Sequence, residues 1–212
     1  MSEPKFRLVF FDVDSTLVTI EGIDELAAGN PEIARLTAAA MNGEIPLDQV
    51  YGQRLEIIKP SLAAIDLLAK RYLNSLVEGA EETIATLKKN GTQVHLVTAG
   101  VAQAIAPLAG RLGVPMHAVS LQFDSNGEYV DYDRRSFLTR PGGKELVARD
   151  VRARTHGRAA FVGDGVTDLE AKPAVDLFIG FGGVHSRPRV RENADVFVEQ
   201  PHLTAVLPHL MS

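Results

Sequence analysis

No cysteine occurs among the 212 residues, which excludes disulfides, thiolate metal sites and cysteine nucleophiles; any metal must be bound by oxygen or imidazole. No apolar run approaches the roughly 20 residues that cross a bilayer, and Met1-Ser2-Glu3-Pro4-Lys5 lacks the apolar stretch of a secretory signal. A cytoplasmic protein with no membrane partner is therefore expected. Long basic runs are also missing and the net charge is −5, which argues against a nucleic-acid partner, because phosphate-backbone affinity needs a concentrated basic surface. Repeats, linkers and low-complexity tracts are absent. The histidines show no paired metal-ligand spacing: His95 sits in an apolar strand, and His117, His156, His202 and His209 are isolated, so structural roles are expected for them. His185, in the loop after Gly182-Gly183, has a weak claim on a site. Arg187, Arg189 and Arg191 alternate as in a solvated helix start.

What is present is enough apolar content, 45%, for a substantial core in one domain, or in one domain carrying an insertion. Phe6 to Phe11 is an apolar run of β-formers that ends in acidic residues, which suits a strand buried on both faces. Similar runs recur at Val94 to Val97, Ala159 to Val162 and Leu177 to Ile179, with helical patterns such as Ala80 to Asn90 and Lys144 to Thr155 between them. The alternation predicts an α/β fold, a doubly wound and mostly parallel sheet with helices on both faces, whose ligands bind beyond the carboxyl ends of the strands. About 60 residues, 17–77, interrupt it without a convincing strand, too many for a simple crossover. Glu21 to Ala28, Pro31 to Met41, Leu47 to Ile58 and Ser61 to Leu73 read as helices separated by Gly29-Asn30, Gly43 and Pro60. The expected division is a core of 1–16 and 78–212 with a helical cap over 17–77. Leu121 to Tyr132 alternates around Ser125-Asn126-Gly127, a small β-hairpin.

Asp12-Val13-Asp14-Ser15-Thr16 delivers two carboxylates where a buried strand runs out. Two like charges that close need a cation between them or a proton on one. Both remedies serve phosphoryl transfer, since magnesium prefers oxygen ligands and a proton held on Asp14 can pass to a leaving alkoxide. A helix cap is the alternative use of the same residues. Gly163-Asp164-Gly165-Val166-Thr167-Asp168 repeats the pattern after a second strand, so that Asp164 and Asp168 either complete a metal site or form an ordinary Gly-Asp turn. Lys144, after Pro141-Gly142-Gly143, is the best-placed cation for a phosphate, and the helix N-terminus there adds partial positive charge. Thr98, Ala99 and Gly100, at a further strand end, offer a hydroxyl and backbone N–H groups; Thr98 also suits a helix cap.

In that order the motifs resemble those of the haloacid dehalogenase superfamily over nearly the whole chain. Phe11-Asp12-Val13-Asp14-Ser15-Thr16-Leu17 is similar to its first motif, Val97-Thr98-Ala99-Gly100 to the second, Gly142-Gly143-Lys144 to the third, and Gly163-Asp164-Gly165-Val166-Thr167-Asp168-Leu169-Glu170-Ala171 to the fourth. The resemblance implies a doubly wound core with a helical cap between the first two motifs. It further implies a Mg²⁺-dependent phosphatase with Asp12 as nucleophile, Asp14 as acid and base, and Asp12, Asp14, Asp164 and Asp168 at the metal. Phosphate would lie against Thr98, Ala99, Gly100 and Lys144. Glu21 and Arg54 would read the ammonium and carboxylate of a phosphorylated amino acid, L-phosphoserine, with Thr167 also at the substrate, in the last step of serine biosynthesis. An arginine fork and a glutamate suit those two groups. Ala99 stands where the superfamily pattern has glycine, which bears on substrate choice more than on phosphatase chemistry.

The nearest rival is the same chemistry on another small phosphate ester, or transfer of the phosphoryl group to an alcohol. A phospho-aspartate receiver domain uses similar residues but has no need of a 60-residue cap. A monomer or a homodimer fits the sequence equally.

Overall fold

The computed structural model describes residues 4–211. The first strand, β1 (Leu8–Phe11), is buried at all four positions, as its unbroken apolar sequence requires when helices cover both faces of a sheet. The chain then leaves the sheet for four helices: α1 (Gly22–Leu26), α2 (Pro31–Met41), α3 (Leu47–Ile58) and α4 (Leu62–Asn74). It returns through α5 (Ala80–Lys89) to β2 (Gln93–Val101), α6 (Ala102–Leu112) and β3 (Met116–Val119). An antiparallel hairpin of β4 (Leu121–Phe123) and β5 (Tyr129–Tyr132) follows, turning at the expected Asn126-Gly127 with Gly127 at φ 80°. The remainder is α7 (Gly143–Arg152), β6 (Ala159–Gly163), α8 (Val166–Leu169), β7 (Leu177–Phe181), α9 (Pro188–Asn193), β8 (Val196–Val198) and α10 (Leu207–Met211).

Six strands form one sheet in the order β3-β2-β1-β6-β7-β8, every pair parallel. The chain winds outward on one side of β1 and then on the other, so the order reverses between β1 and β6. That is where an open α/β sheet leaves its binding crevice. Register fixes what meets there: Phe11 lies opposite Val162, and the Asp12 N–H donates to the Val162 carbonyl at 3.0 Å. The residues that follow each strand, beginning with Asp12 and Asp164, must therefore emerge side by side.

The helical insertion is tied off at its base. Val18 and Leu76 form an antiparallel bridge, the Val77 N–H donates to Leu17 O at 2.9 Å, and the Thr19 N–H to Ser75 O at 2.8 Å. Helices α2 and α3 have the expected bounds. Asn30 accepts from the Glu32 N–H and Ser61 from the Ala64 N–H, which caps α2 and α4.

Three expectations change. The strand expected from Phe6 begins at Leu8, although Phe6 is buried. The strand expected over Val94 to Val97 runs on to Val101, because β2 resumes pairing with β3 after a register shift between Val97 and Val101. That extension puts Thr98, Ala99 and Gly100 on the end of a strand. Finally, His95 and His117 are not isolated from each other: their ring nitrogens lie 3.2 Å apart across β2 and β3, and partial burial, with His117 adding to it, lowers His95 to about 4.

Candidate active site

After β1 the chain turns back on itself. Ser15 takes a left-handed φ of 53°, and the Val13 carbonyl accepts from the N–H groups of Thr16, Leu17 and Val18. The turn separates the two aspartates that a continued strand would have left on one face. Asp12 stays at the mouth of the sheet. Asp14 faces the helical insertion, where its Oδ1 accepts from the Gly22 N–H at 2.8 Å and the Tyr72 hydroxyl at 2.7 Å.

Asp12 meets the second acidic loop. Carboxylate oxygens of Asp12, Asp164 and Asp168 lie within 4.8 Å of one another, all three residues being buried. Asp14, expected to be a fourth ligand, is not in that group, since its carboxylate is turned toward α1 and α4. Lys144 Nζ sits between two members, 2.7 Å from Asp12 Oδ1 and 2.6 Å from Asp168 Oδ1. Its place is set by Gly143, where a Cβ would come within 2.0 Å of the Phe137 carbonyl oxygen; only a glycine lets α7 start so close to the preceding turn. The Gly142 N–H at the start of α7 donates to Glu170 Oε2 (2.7 Å), and the Lys144 ammonium is the positive charge in direct contact with the cluster. Asp168 is held by the Gly165 N–H on Oδ2 (2.9 Å), and Asp164 accepts from Thr16 Oγ1 (3.2 Å) and from Arg187 Nε (3.1 Å).

Arg187 corrects the reading of its stretch as solvated. Its side chain is 12% exposed and reaches Glu21 Oε1 at 3.5 Å as well as Asp164. Arg189 and Arg191 are exposed, as expected. His185 is exposed and does not line the cavity described below.

So many acids in little water distort their titration. Burial first, and then Asp168, push Asp12 well above the usual carboxylate range. Burial raises Asp14 against the lowering effect of its bonds from Tyr72 and Gly22. Burial and the charges of Asp14 and Asp164 lift Glu21 to about 8, and burial with Asp168 lifts Asp164 to about 7. Burial alone would lower Lys144, but Asp12 and Asp168 more than offset it and raise it. Five acids, Asp12, Asp14, Glu21, Asp164 and Asp168, face three cations, Lys144, Arg187 and Arg54. Full ionisation would leave two uncompensated negative charges in a water-poor site, which is the deficit a divalent cation fills. The donors are all hard carboxylate oxygens, with no thiol in the chain and no imidazole in the group. The buried Asp cluster thus fits a metal ion of the oxygen-preferring kind.

Over the cluster lies a cavity of about 50 Å³, several times the roughly 10–15 Å³ that one water needs. It is lined by Asp12, Asp14, Glu21, Arg54, Thr98, Ala99, Gly100, Lys144 and Thr167, nine of the residues expected at a site, and Asp164 and Asp168 are buried without lining it. The insertion also contributes Thr37 and Tyr51. Arg54 is buried, donates from one terminal nitrogen to Thr37 Oγ1 (3.1 Å), and leaves its Nε without a partner. Thr37 in turn donates to Asp24 Oδ1 at 2.6 Å. The Tyr51 hydroxyl donates to the Ala99 carbonyl at 2.9 Å. Thr98 Oγ1 accepts from the Gly100 N–H at 2.9 Å and lies 3.5 Å from Asp14 Oδ2. Thr167 Oγ1 is buried and unpartnered.

The haloacid dehalogenase-like hydrolase profile matches residues 6–175, which includes all four motifs. The chain belongs to that family. Among curated haloacid dehalogenase-like relatives, the chloroplastic phosphoserine phosphatase of Arabidopsis thaliana is 39% identical over 196 residues, covering 88% of this chain and 66% of its own length. The Bos taurus phosphoserine phosphatase is 36% identical over 197 residues, covering 90% of this chain and 88% of its own. A solved structure described as a phospho-aspartyl intermediate analogue of phosphoserine phosphatase superposes with a TM-score of 0.83 at 27% identity, covering 97% of this chain and 99% of that one.

Arg187, Tyr72, Tyr51 and Thr37 were not singled out from the sequence as site residues. Arg187 reaches partners 23 and 166 positions away, and no local pattern carries that information.

Proposed function

We propose that this haloacid dehalogenase-like hydrolase is a phosphoric monoester hydrolase that converts O-phospho-L-serine to L-serine and phosphate in the cytoplasm, as a monomer or homodimer. Its residues 1–16 and 78–212 act as the catalytic core and 17–77 as the cap that reads the substrate. The observation that carries the reading is one cavity lined together by Asp12, Asp14, Lys144 and the cap's Arg54, with Asp168 buried behind it and paired to Lys144.

In the proposed cycle an Asp12 oxygen attacks phosphorus and the bond from phosphorus to the seryl oxygen breaks. The proton of Asp14 goes to that oxygen, and burial favours its being present beforehand. Asp14, now a carboxylate, takes a proton from water as the water attacks the aspartyl-phosphate, which frees phosphate and restores Asp12. Asp12, Asp164 and Asp168 would hold Mg²⁺, which when bound supplies the charge neutralisation that brings two anions together. The need is real, since two unit charges about 4 Å apart repel by roughly 4 kcal/mol at an effective dielectric of 20. Lys144 contributes the fixed part of that neutralisation, and Thr98 with the backbone at Ala99 and Gly100 receives the phosphoryl oxygens. Arg54 binds the substrate carboxylate bidentately, its Nε being free to do so. Glu21 takes the ammonium, and Thr167 lies against the substrate.

Ala99 supports a second reading, another small phosphate ester or an alcohol acceptor in place of water. Its methyl-bearing residue lines the cavity where the superfamily pattern has glycine. Phosphate release from a panel of phosphorylated metabolites with Mg²⁺, with and without added alcohols, separates the two. L-Phosphoserine should be the preferred substrate; a different ester outpacing it, or phosphoryl transfer exceeding hydrolysis, would favour the second.

A further inference from the structure

Asp14 has one oxygen held by two short hydrogen bonds and the other by a single long one from Thr98, and both short bonds come from the cap. Tyr72 of α4 is fully buried, and its hydroxyl donates to Asp14 Oδ1 at 2.7 Å while the Gly22 N–H of α1 donates to the same atom at 2.8 Å. The other oxygen, Oδ2, faces Thr98 Oγ1 at 3.5 Å and the Gly100 backbone, which is the side of the cavity proposed for phosphate. Two donors hold Oδ1 at 2.7 and 2.8 Å, whereas the Thr98 hydroxyl reaches Oδ2 only at the long limit of a hydrogen bond, so Oδ1 is the anchored oxygen of Asp14.

Gly22 supplies an independent observation. A Cβ there would stand 1.9 Å from the Tyr72 hydroxyl oxygen and 2.9 Å from its Cζ. Gly22 is not among the glycines with positive φ, so the backbone does not demand glycine; the tyrosine hydroxyl does. Both donors come from the insertion, and Asp14 from the core.

We propose that Tyr72 is a positioning residue that, together with the Gly22 N–H, holds Asp14 Oδ1 toward the cap and so presents Oδ2 to the phosphate side of the cavity. The inference rests on the acid role given to Asp14 above. On departure of the alcohol the carboxyl O–H bond of Asp14 breaks, its proton and the released P–O electron pair form the new O–H bond, and Tyr72 keeps its own proton.

The test compares esters that differ in their need for an acid. L-Phosphoserine leaves as a basic alkoxide unless protonated, whereas p-nitrophenyl phosphate leaves as a stable phenolate. With Mg²⁺ present, Tyr72→Phe is expected to lower kcat/KM for phosphoserine by about tenfold or more and for the aryl ester by no more than about twofold, with KM for phosphoserine little changed. Equal losses on both esters, or none on either, would overturn the assignment. Should Tyr72→Phe fail to fold, Gly22→Ala displaces the same hydroxyl and must give the same split; unchanged activity on both esters in that variant overturns it equally. Asp14→Asn measured alongside separates the layers. A split there without one in Tyr72→Phe defeats the role of Tyr72 alone, and no split in Asp14→Asn defeats the acid assignment beneath it.

Discussion

In the proposed function substrate choice turns on Arg54, whose guanidinium is buried with its Nε unpartnered, a costly arrangement that a bound carboxylate would relieve. Its orientation is relayed, Arg54 to Thr37 to Asp24, so the cap holds it in place before substrate arrives. Arg54→Ala is expected to reduce kcat/KM for phosphoserine by about tenfold to a hundredfold, the worth of a charge-assisted hydrogen-bond pair, while a generic aryl phosphate is largely spared. Glu21→Ala should show the same preference. Equal losses on both substrates in steady-state assays would contradict the recognition role. At this scale the sequence was legible where a motif sits at a strand end, as at Asp12 and Asp164, or at a glycine-marked helix start, as at Lys144. It was not legible where a side chain arrives from afar. Arg187 looks like one of three alternating surface arginines until the fold brings it beside Asp164 and Glu21, and Tyr72 reads as ordinary core of an amphipathic helix.

Among the elements, the strand ends do the placing and the helices do the covering. Four expected strands and all the expected cap helices are present, because buried parallel strands are unbroken apolar runs and the cap helices are punctuated by Asn30, Pro60 and Ser61. Elements without such a signal were not anticipated. β8 has only three residues at the sheet edge, and α6 contains Pro107 and Gly110, both of which read as breakers. The extension of β2 to Val101 is set by its pairing with β3, whose paired residues lie 18 to 20 positions on, and not by its own sequence. At the start of α7, Gly143→Ala forces a Cβ to within 2.0 Å of a backbone oxygen that cannot step aside. Overpacking of that kind costs about 1–3 kcal/mol, which in a chain of this size lowers the thermal midpoint by roughly 2–12 °C. Calorimetry checks it, and Lys144 should be displaced along with the helix, so activity falls further than stability. An unchanged midpoint would show that the α7 start is free to move.

For the molecule as a whole, the acidic cluster sets an electrostatic conflict against folding. Asp164 and Glu21 have folded-state values of about 7 and about 8, above the ordinary 3.8 and 4.5. Groups raised in this way contribute stability that is fully present below about pH 4 and is lost as pH rises through their folded values, since the unfolded chain gives up those protons earlier. Chelator-treated protein should therefore lose stability between about pH 4 and 8. Mg²⁺ should restore more of it at pH 8 than at pH 5, because a cation binds carboxylates in competition with protons. Equal stabilisation at both values, read from thermal melts, would argue against a cation held by these acids. Nothing in the described residues is long and apolar enough as a helix to cross a membrane. Six parallel strands, a tied-off helical insertion and a buried acidic cluster at the switch between β1 and β6 surround Asp12, the nucleophile of the proposed function. The most direct measurement is an acid quench during turnover of L-phosphoserine with Mg²⁺, followed by peptide mapping by mass spectrometry. A single phosphoryl group on the peptide containing Asp12, absent in Asp12→Asn, is the expected result. Phosphate release with no phosphorylated peptide, or with the phosphoryl group on another residue, would contradict it.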